Sequence, residues 1–374
     1  MAIPFKFGLL VDGQNFINRQ EESKWLSRNF ESGINTLIIS PRRWGKSSLV
    51  SKVVNELLVS KPNLRIVTID MFAVRSEQQF LSLFASEVIK ATSTKWEEWG
   101  EAVRKFIGNA VPKIAFGNQP GAVAELELSW AGKKINPLEI YDLPEVIAKR
   151  KKLKVVICLD EFQNIAYFAD HLGVQKQMRS VWQKHQHTSY CLYGSKKNFL
   201  THVFKHSSMP FYRFGDLMYL PKIEMPHWLK FVPTQFKKFG KKISIDHTKE
   251  LCQAVSLHPF YVQQLAQKVW ILTDKETTKA ILQMGIAALL HDNAGGFQRD
   301  VENLTATQLN FLKAFNDGVK SFTMMETLIK YELGTQGNIK RIKTALEQKD
   351  ILDFAGKQPE FIDPLFGLWF SRNF

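Results

Sequence analysis

The chain has 374 residues, 45% apolar and 12% aromatic, which is enough material for two or three packed domains and excludes a disordered polymer. Its 50 Lys and Arg against 36 Asp and Glu give a formal charge of +14, a surplus that favours polyanionic partners. No run approaches 18 apolar residues and the first eight residues hold no long apolar segment, so neither a membrane span nor a secretion signal is expected and the reading is cytoplasmic. The three cysteines, Cys158, Cys191 and Cys252, fall in apolar strand or helix patterns without metal-like spacing, and read as buried free thiols.

In chain order the first element is a strand over Leu37–Ser40, followed at once by Ser40-Pro41-Arg42-Arg43-Trp44-Gly45-Lys46-Ser47-Ser48 and a helical pattern over Lys46–Leu58. A strand, a tight Gly-Lys-Ser turn and a helix form a phosphate-binding loop. Backbone N–H groups wrap the α- and β-phosphates, Lys46 reaches the β/γ oxygens, Ser47 offers a hydroxyl to Mg²⁺, and the helix presents its positive end. Ser40 stands where the G-x-x-x-x-G-K-[ST] pattern has its first glycine, and its Cβ narrows the allowed backbone torsions. The competing reading is an ordinary strand-to-helix turn.

Next come a strand over Leu64–Ile69 and a helix over Glu77–Ala91 with Phe80, Leu83, Phe84 and Val88 on one face. Residues 95–134 are irregular. They hold Trp96, Trp99 and an alternating Val123-Ala-Glu-Leu-Glu-Leu stretch, and read as an excursion, a hairpin between two parts of the sheet. A helix over Leu143–Lys152 ends in Lys149-Arg150-Lys151-Lys152, which either complements the helix C-terminus or contacts nucleic acid.

The run Val155-Val156-Ile157-Cys158-Leu159 is apolar at every position, as a strand buried on both faces must be, and it closes on Asp160-Glu161. Carboxylates at the C-terminal edge of such a strand fall where α/β sheets place their ligands. As a Walker B strand it would have Asp160 hold Mg²⁺ through water and Glu161 polarise the water that attacks the γ-phosphate. Otherwise the pair caps the following helix. The sheet resumes at Tyr190–Tyr193 and Leu217–Leu220, with a helix over Lys196–Phe204 between them. Alternating βα units predict an α/β fold, a parallel sheet with helices on both faces.

Beyond Pro226 the pattern turns wholly helical, over Trp228–Phe239, His247–Val255, Phe260–Thr273 and Thr277–His291. Helices over Thr305–Phe315, Met324–Tyr331 and Gly337–Lys349 precede two extended pieces, Leu352-Asp-Phe and Glu360-Phe-Ile, joined by the turn Ala355-Gly-Lys-Gln-Pro. Three helices and a hairpin outline a winged helix-turn-helix. The third carries Lys340, Arg341, Lys343 and Lys349, residue types that contact phosphates and bases.

With these motifs in place the chain resembles the STAND-class, AAA+-related ATPases of the archaeal ATPase family over nearly its whole length. Phe16-Ile-Asn-Arg19-Gln-Glu-Glu22 is similar to the family's Phe-x-x-Arg-x-x-Glu box, which in relatives packs near the adenine. The loop is similar to Arg-Arg-x-Gly-Lys-Thr-Ser-Leu, and Asp160-Glu161-Phe162-Gln163 to the Walker B signature with its Phe-Gln tail. Gly194-Ser195 takes the sensor-1 place, where Ser195 senses the γ-phosphate or else caps the next helix. Pro210-Phe-Tyr-Arg213 is similar to a Pro-Leu-Tyr-x-Arg element, which makes Arg213 an arginine finger or else a surface cation beside aromatic rings. Leu257-His258-Pro259 resembles the lid's Gly-His-Pro, with His258 either near nucleotide or at a helix boundary. Phe361-Ile-Asp-Pro364-Leu-Phe-x-x-Trp369 is similar to the winged-helix tail, and no sensor-repeat array is expected after it.

The resemblance implies a P-loop ATPase domain at 1–225, a helical lid at 226–300 and a winged helix at 301–374. It further implies ATP or ADP with Mg²⁺ bound between sheet and lid, slow hydrolysis, a nucleotide-driven switch, self-association through the ATPase domain, and DNA or protein at the winged helix. The alternative is a DNA-binding regulator in which nucleotide is a structural ligand.

Overall fold

The computed structural model describes residues 3–10, 16–93, 98–99, 101–102, 111–115, 125–129, 136–354, 356 and 358–374. Two compact units emerge, one made of residues 19–221 and the other of residues 1–18 together with 222–374.

In the first unit five strands form one parallel sheet in the order β2-β5-β6-β1-β7: β1 (Thr36–Ile39), β2 (Leu64–Asp70), β5 (Lys154–Asp160), β6 (Thr188–Gly194) and β7 (Asp216–Tyr219). The central strands are buried along almost their whole length, as their unbroken apolar runs require. Helices α1 (Gln20–Ser32), α2 (Lys46–Ser60), α3 (Glu77–Thr92), α4 (Pro137–Lys151), α5 (His171–Trp182) and α6 (Lys197–Lys205) complete the unit. The expected excursion contains an antiparallel pair, β3 (Val111–Ala115) and β4 (Glu125–Ser129). Trp96, Val123 and most of the stretch between the strands lie outside the described residues.

An aromatic cluster anchors the helices to the sheet. Trp182 of α5 stacks on Tyr190 of β6 with ring centroids 4.0 Å apart and lies parallel to Phe84 of α3 at 6.2 Å. Below it Tyr190 Oη meets His185 Nδ1 at 2.9 Å and His185 Nε2 meets Asp142 of α4 at 3.0 Å, which satisfies polar groups that burial would otherwise penalise. All three cysteines are free and buried.

Several boundaries differ from expectation. Helices α1 and α5 have no counterpart among the expected elements. Helix α4 begins at Pro137 rather than Leu143: Asn136 caps it by accepting from the Leu138 amide, Pro137 fits the first turn, and Pro144 is carried within the helix. The four-residue basic run at its end is partly committed, since Lys151 Nζ donates to the Thr92 carbonyl at 2.7 Å and Lys152 forms a left-handed cap.

The second unit is helical, with α7 (Met225–Lys238), α8 (Ile245–Ala254), α9 (Pro259–Leu272), α10 (Lys279–Glu302), α11 (Ala306–Asn316), α12 (Met325–Lys330), α13 (Gln336–Gln348) and α14 (Pro364–Asn373). Between α13 and α14 lies a short antiparallel pair, β8 (Leu352–Asp353) and β9 (Glu360–Phe361), with Ala355 and Lys357 of its turn outside the described residues. Helix α10 runs on past His291 and through Gly295-Gly296, because Phe297 packs on Phe366 and Trp369 of α14 and holds the extension in place. The N-terminal segment belongs here as well: Phe5 packs on Phe231 and Phe236, and its carbonyl accepts from Gln267 at 3.0 Å. No described helix is long and apolar enough to cross a membrane.

Candidate functional site

Strand β1 delivers the chain into the loop 40–45 at the C-terminal edge of the sheet, and α2 starts at Lys46. Gly45 sits at φ +91°, a torsion that only glycine takes cheaply, and Arg43 is left-handed at +61°. Ser40 is not among the residues with positive φ, so serine at this position costs nothing in torsion. It is fully buried, its amide reaches the Gly194 carbonyl at 3.4 Å and its hydroxyl donates to the Pro41 carbonyl at 3.0 Å. The expected torsional penalty at Ser40 is therefore absent.

Strand β5 ends at the same edge, and its carboxylates close on the loop. Lys46 Nζ lies 2.6 Å from Glu161 Oε1 and 3.4 Å from Asp160 Oδ1, and Ser47 Oγ donates to Asp160 Oδ2 at 2.6 Å. Glu161 Oε2 accepts from Ser195 Oγ at 2.9 Å and from Gln163 Nε2, and Gln163 Nε2 lies 3.4 Å from Ser195 Oγ. Residues separated by more than a hundred positions thus form one hydrogen-bonded group.

The two acids are driven apart in acidity. Burial pushes Asp160 up, and this outweighs the Lys46 charge and the Ser47 hydrogen bond, so its pKa is raised. Burial pushes Glu161 up too, but the charge and hydrogen bond of Lys46, with those of Gln163 and Ser195, carry it below the usual range.

Arg19 is buried with its guanidinium committed to protein acceptors: Glu22 at 3.0 Å, the Pro221 carbonyl at 2.6 Å and the Trp44 carbonyl at 3.3 Å. It braces the loop from behind. Pro41, Arg42, Arg43, Trp44 and Ser48 lie in or beside the loop, with Arg42 and Arg43 exposed and Ser48 buried. Ser195 does not cap α6, whose first turn has Lys196 as cap and no side-chain cap bond, and its hydroxyl belongs to Glu161 instead.

Arg213 is not brought to this cluster. It precedes β7, and the register pairs Asp216 with Thr36, the first residue of β1, so Arg213 lies at the N-terminal edge of the sheet, opposite the loop. There it is exposed, left-handed at φ +51°, and rests its guanidinium 5.0 Å from the Tyr212 ring centre. Phe16, His258 and Pro259 belong to the helical unit. His258 caps α9, with Pro259 in its first turn, and its ring lies 4.8 Å from that of Tyr261. Leu257 is left-handed at φ +60°, a conformation that glycine would adopt without strain.

Two residues near the cluster carried no expected role. In the sequence Gln163 is only the last residue of a signature. Asp70, at the end of β2, pairs in register with Asp160, is exposed, and takes the Phe72 amide at 2.8 Å. A strand ending in an acid beside another such strand was the signal for it.

The cluster offers Mg²⁺ a hydroxyl and a carboxylate, hard oxygen donors of the right kind. Among the described residues no group of three His, Cys, Asp or Glu converges on a metal, so a cation here would also need phosphate and water oxygens, as Mg²⁺ in phosphate-loop sites does.

No protein-family model matches the sequence, and no curated protein matches it. Among solved structures the chain is similar to the Walker-type ATPase PABY2304 of Pyrococcus abyssi, with 15% identity, 96% of each chain covered and a TM-score of 0.64. It is also similar to the Aeropyrum pernix ORC2 protein solved as ADPNP-ADP complexes, with 12% identity, 99% of this chain and 97% of that one covered, and a TM-score of 0.59. The Aeropyrum pernix ORC1 protein in complex with DNA follows at 11% identity, 96% and 94% coverage and a TM-score of 0.50. The sheet order and these neighbours give the chain the fold of the AAA+ P-loop ATPases.

Proposed function

We propose that this chain is a Mg²⁺-dependent P-loop ATPase of the STAND/AAA+ kind that works as a slow, nucleotide-driven switch. The observation that carries the reading is the convergence of Lys46 and Ser47 on Asp160 and Glu161 at 2.6–3.4 Å, at the edge of the sheet where α/β folds bind ligands.

The residues divide the work. A triphosphate wrapped by the loop 40–48 presents several negative charges to the start of α2, and Lys46 exchanges Glu161 for the β and γ oxygens. Glu161 Oε1 is then released toward the water that attacks the γ phosphorus, and takes its proton as the bond to the ADP oxygen breaks. Ser195, already on Glu161, lies within reach of the same water. Ser47 and Asp160 would hold Mg²⁺, which when bound neutralises charge on the phosphate oxygens. Loss of the γ-phosphate removes the differential contacts of Lys46 and Ser195, and that difference is what a switch requires. In this reading 226–300 forms the lid and 301–374 the winged helix, self-association runs through the ATPase unit, and the setting is cytoplasmic. The test is single-turnover hydrolysis: Glu161→Gln should bind ATP yet cleave it at least about a hundredfold more slowly than wild type, and equal rates would refute the reading.

A second reading, a DNA-binding regulator with nucleotide as a conformational ligand, is favoured by one observation. Lys340 and Arg341 are exposed on α13, and Arg341 helps line a cavity of about 410 Å³ with Thr335, Gly337 and Asn338. The ORC1 structure of similar fold was solved with DNA.

A further inference from the structure

We infer that Gln163 is the positioning residue that sets which oxygen of Glu161 faces the attacking water, and that Gly194 is the position that leaves room for it. The inference rests on the ATPase reading and extends it to a side chain with no role in the loop or the metal site.

Glu161 has two carboxylate oxygens in different company. Oε1 is held by Lys46 alone at 2.6 Å, while Oε2 takes both Gln163 Nε2 and Ser195 Oγ. When Lys46 turns to phosphate, Oε1 is freed and Oε2 keeps its two neutral donors. The carboxylate thus pivots on one fixed oxygen and presents the other. Its backbone adds to the fixation, since Glu161 is left-handed at φ +51°, so the side chain leaves the strand at a defined angle.

The orientation of the Gln163 amide follows from chemistry. Only its NH₂ group suits a carboxylate oxygen, because the flipped amide would set two acceptors against each other. Its Oε1 then points at Gly194, where a Cβ would stand 1.9 Å from it, and this oxygen is buried without a hydrogen-bond partner among the described residues. Gly194 has no positive φ, so its role here is space and not torsion. The last residue of β6 is therefore a glycine for the sake of a glutamine two residues beyond Glu161. The next residue, Asn164, pins the same turn by donating to the Met71 and Phe72 carbonyls at 3.0 and 3.1 Å, so the turn that carries Gln163 is anchored to the end of β2.

The experiment compares wild type, Gln163→Ala, Gln163→Glu and Gly194→Ala in equilibrium binding of a fluorescent ATP analogue and in single-turnover ATP hydrolysis. Gln163→Ala should bind the analogue within about twofold of wild type while its cleavage rate falls about ten- to a hundredfold. Gly194→Ala, by displacing the amide, should shift the rate in the same direction. Gln163→Glu keeps the shape but replaces the donor by an acceptor, and should lose rate as Gln163→Ala does. A purely structural role would lower thermal stability without separating binding from rate. If wild type binds and cleaves ATP and Gln163→Ala cleaves it equally well, or if its binding falls in step with its rate, this inference falls and the ATPase reading stands. If wild type itself neither binds nor cleaves ATP, the ATPase reading falls first.

Discussion

Lys46 stands between two carboxylates that the fold treats in opposite ways. The raised pKa of Asp160 means that its ionised form costs folding free energy above the ordinary aspartate range, a cost relieved as the pH falls. Glu161 has the opposite sign. Its depressed pKa stabilises the fold above the ordinary glutamate range, and that contribution is lost as the pH drops through its lower folded value. Asp160→Asn is therefore expected to leave the thermal midpoint of the nucleotide-free chain at pH 7 unchanged or higher, while abolishing Mg²⁺-dependent ATP binding. Differential scanning fluorimetry with and without Mg-ATP checks both halves, and a large fall in the nucleotide-free midpoint would contradict the argument. A binding carboxylate kept at a cost to stability is the pattern expected where function, not folding, selects the residue.

At the scale of elements, α13 carries the second reading. Of its three basic residues, half-buried Lys343 lies over the Phe322 and Phe354 rings at 5.6 and 5.3 Å, while Lys340 and Arg341 are exposed; Lys349, exposed just past the helix, donates to the Asn303 carbonyl. If that reading holds, Lys340→Ala with Arg341→Ala should weaken duplex DNA binding at low salt and flatten the salt dependence by roughly two counterions, measured by fluorescence anisotropy. Unchanged affinity and slope would remove it.

The same scale shows what the amino-acid order reveals and what it conceals. The meeting of the loop 40–48 with Asp160-Glu161 was legible because a strand-turn-helix pattern and an apolar run closed by two acids both end at the same edge of a parallel sheet. The all-apolar Val155–Leu159 run was legible because a strand covered on both faces leaves no polar position. The edge at which Arg213 lies was not, because it is set by the pairing of Asp216 with Thr36, a contact 180 residues long in sequence. Helix α5 buries only Val174, Gln175, Met178 and Trp182 among polar neighbours, a stripe too sparse to stand out. The helix expected to end at His291 runs on through Gly295-Gly296, because packing of Phe297 on α14 overrides the low helix propensity of glycine.

For the whole molecule, the unit of residues 19–221 holds Lys46, Ser47, Asp160, Glu161, Gln163 and Ser195 together, and the proposed phosphate and metal binding falls to it alone. The helical unit holds the exposed cations of α13, so the two readings are separable by variants in different units. The most direct measurement is equilibrium titration of the purified chain with ATP, with and without Mg²⁺, beside a Lys46→Ala variant. The account predicts saturable, Mg²⁺-strengthened binding by wild type and at least about a tenfold weaker affinity in Lys46→Ala. Equal binding by the two, or none by wild type, would contradict it.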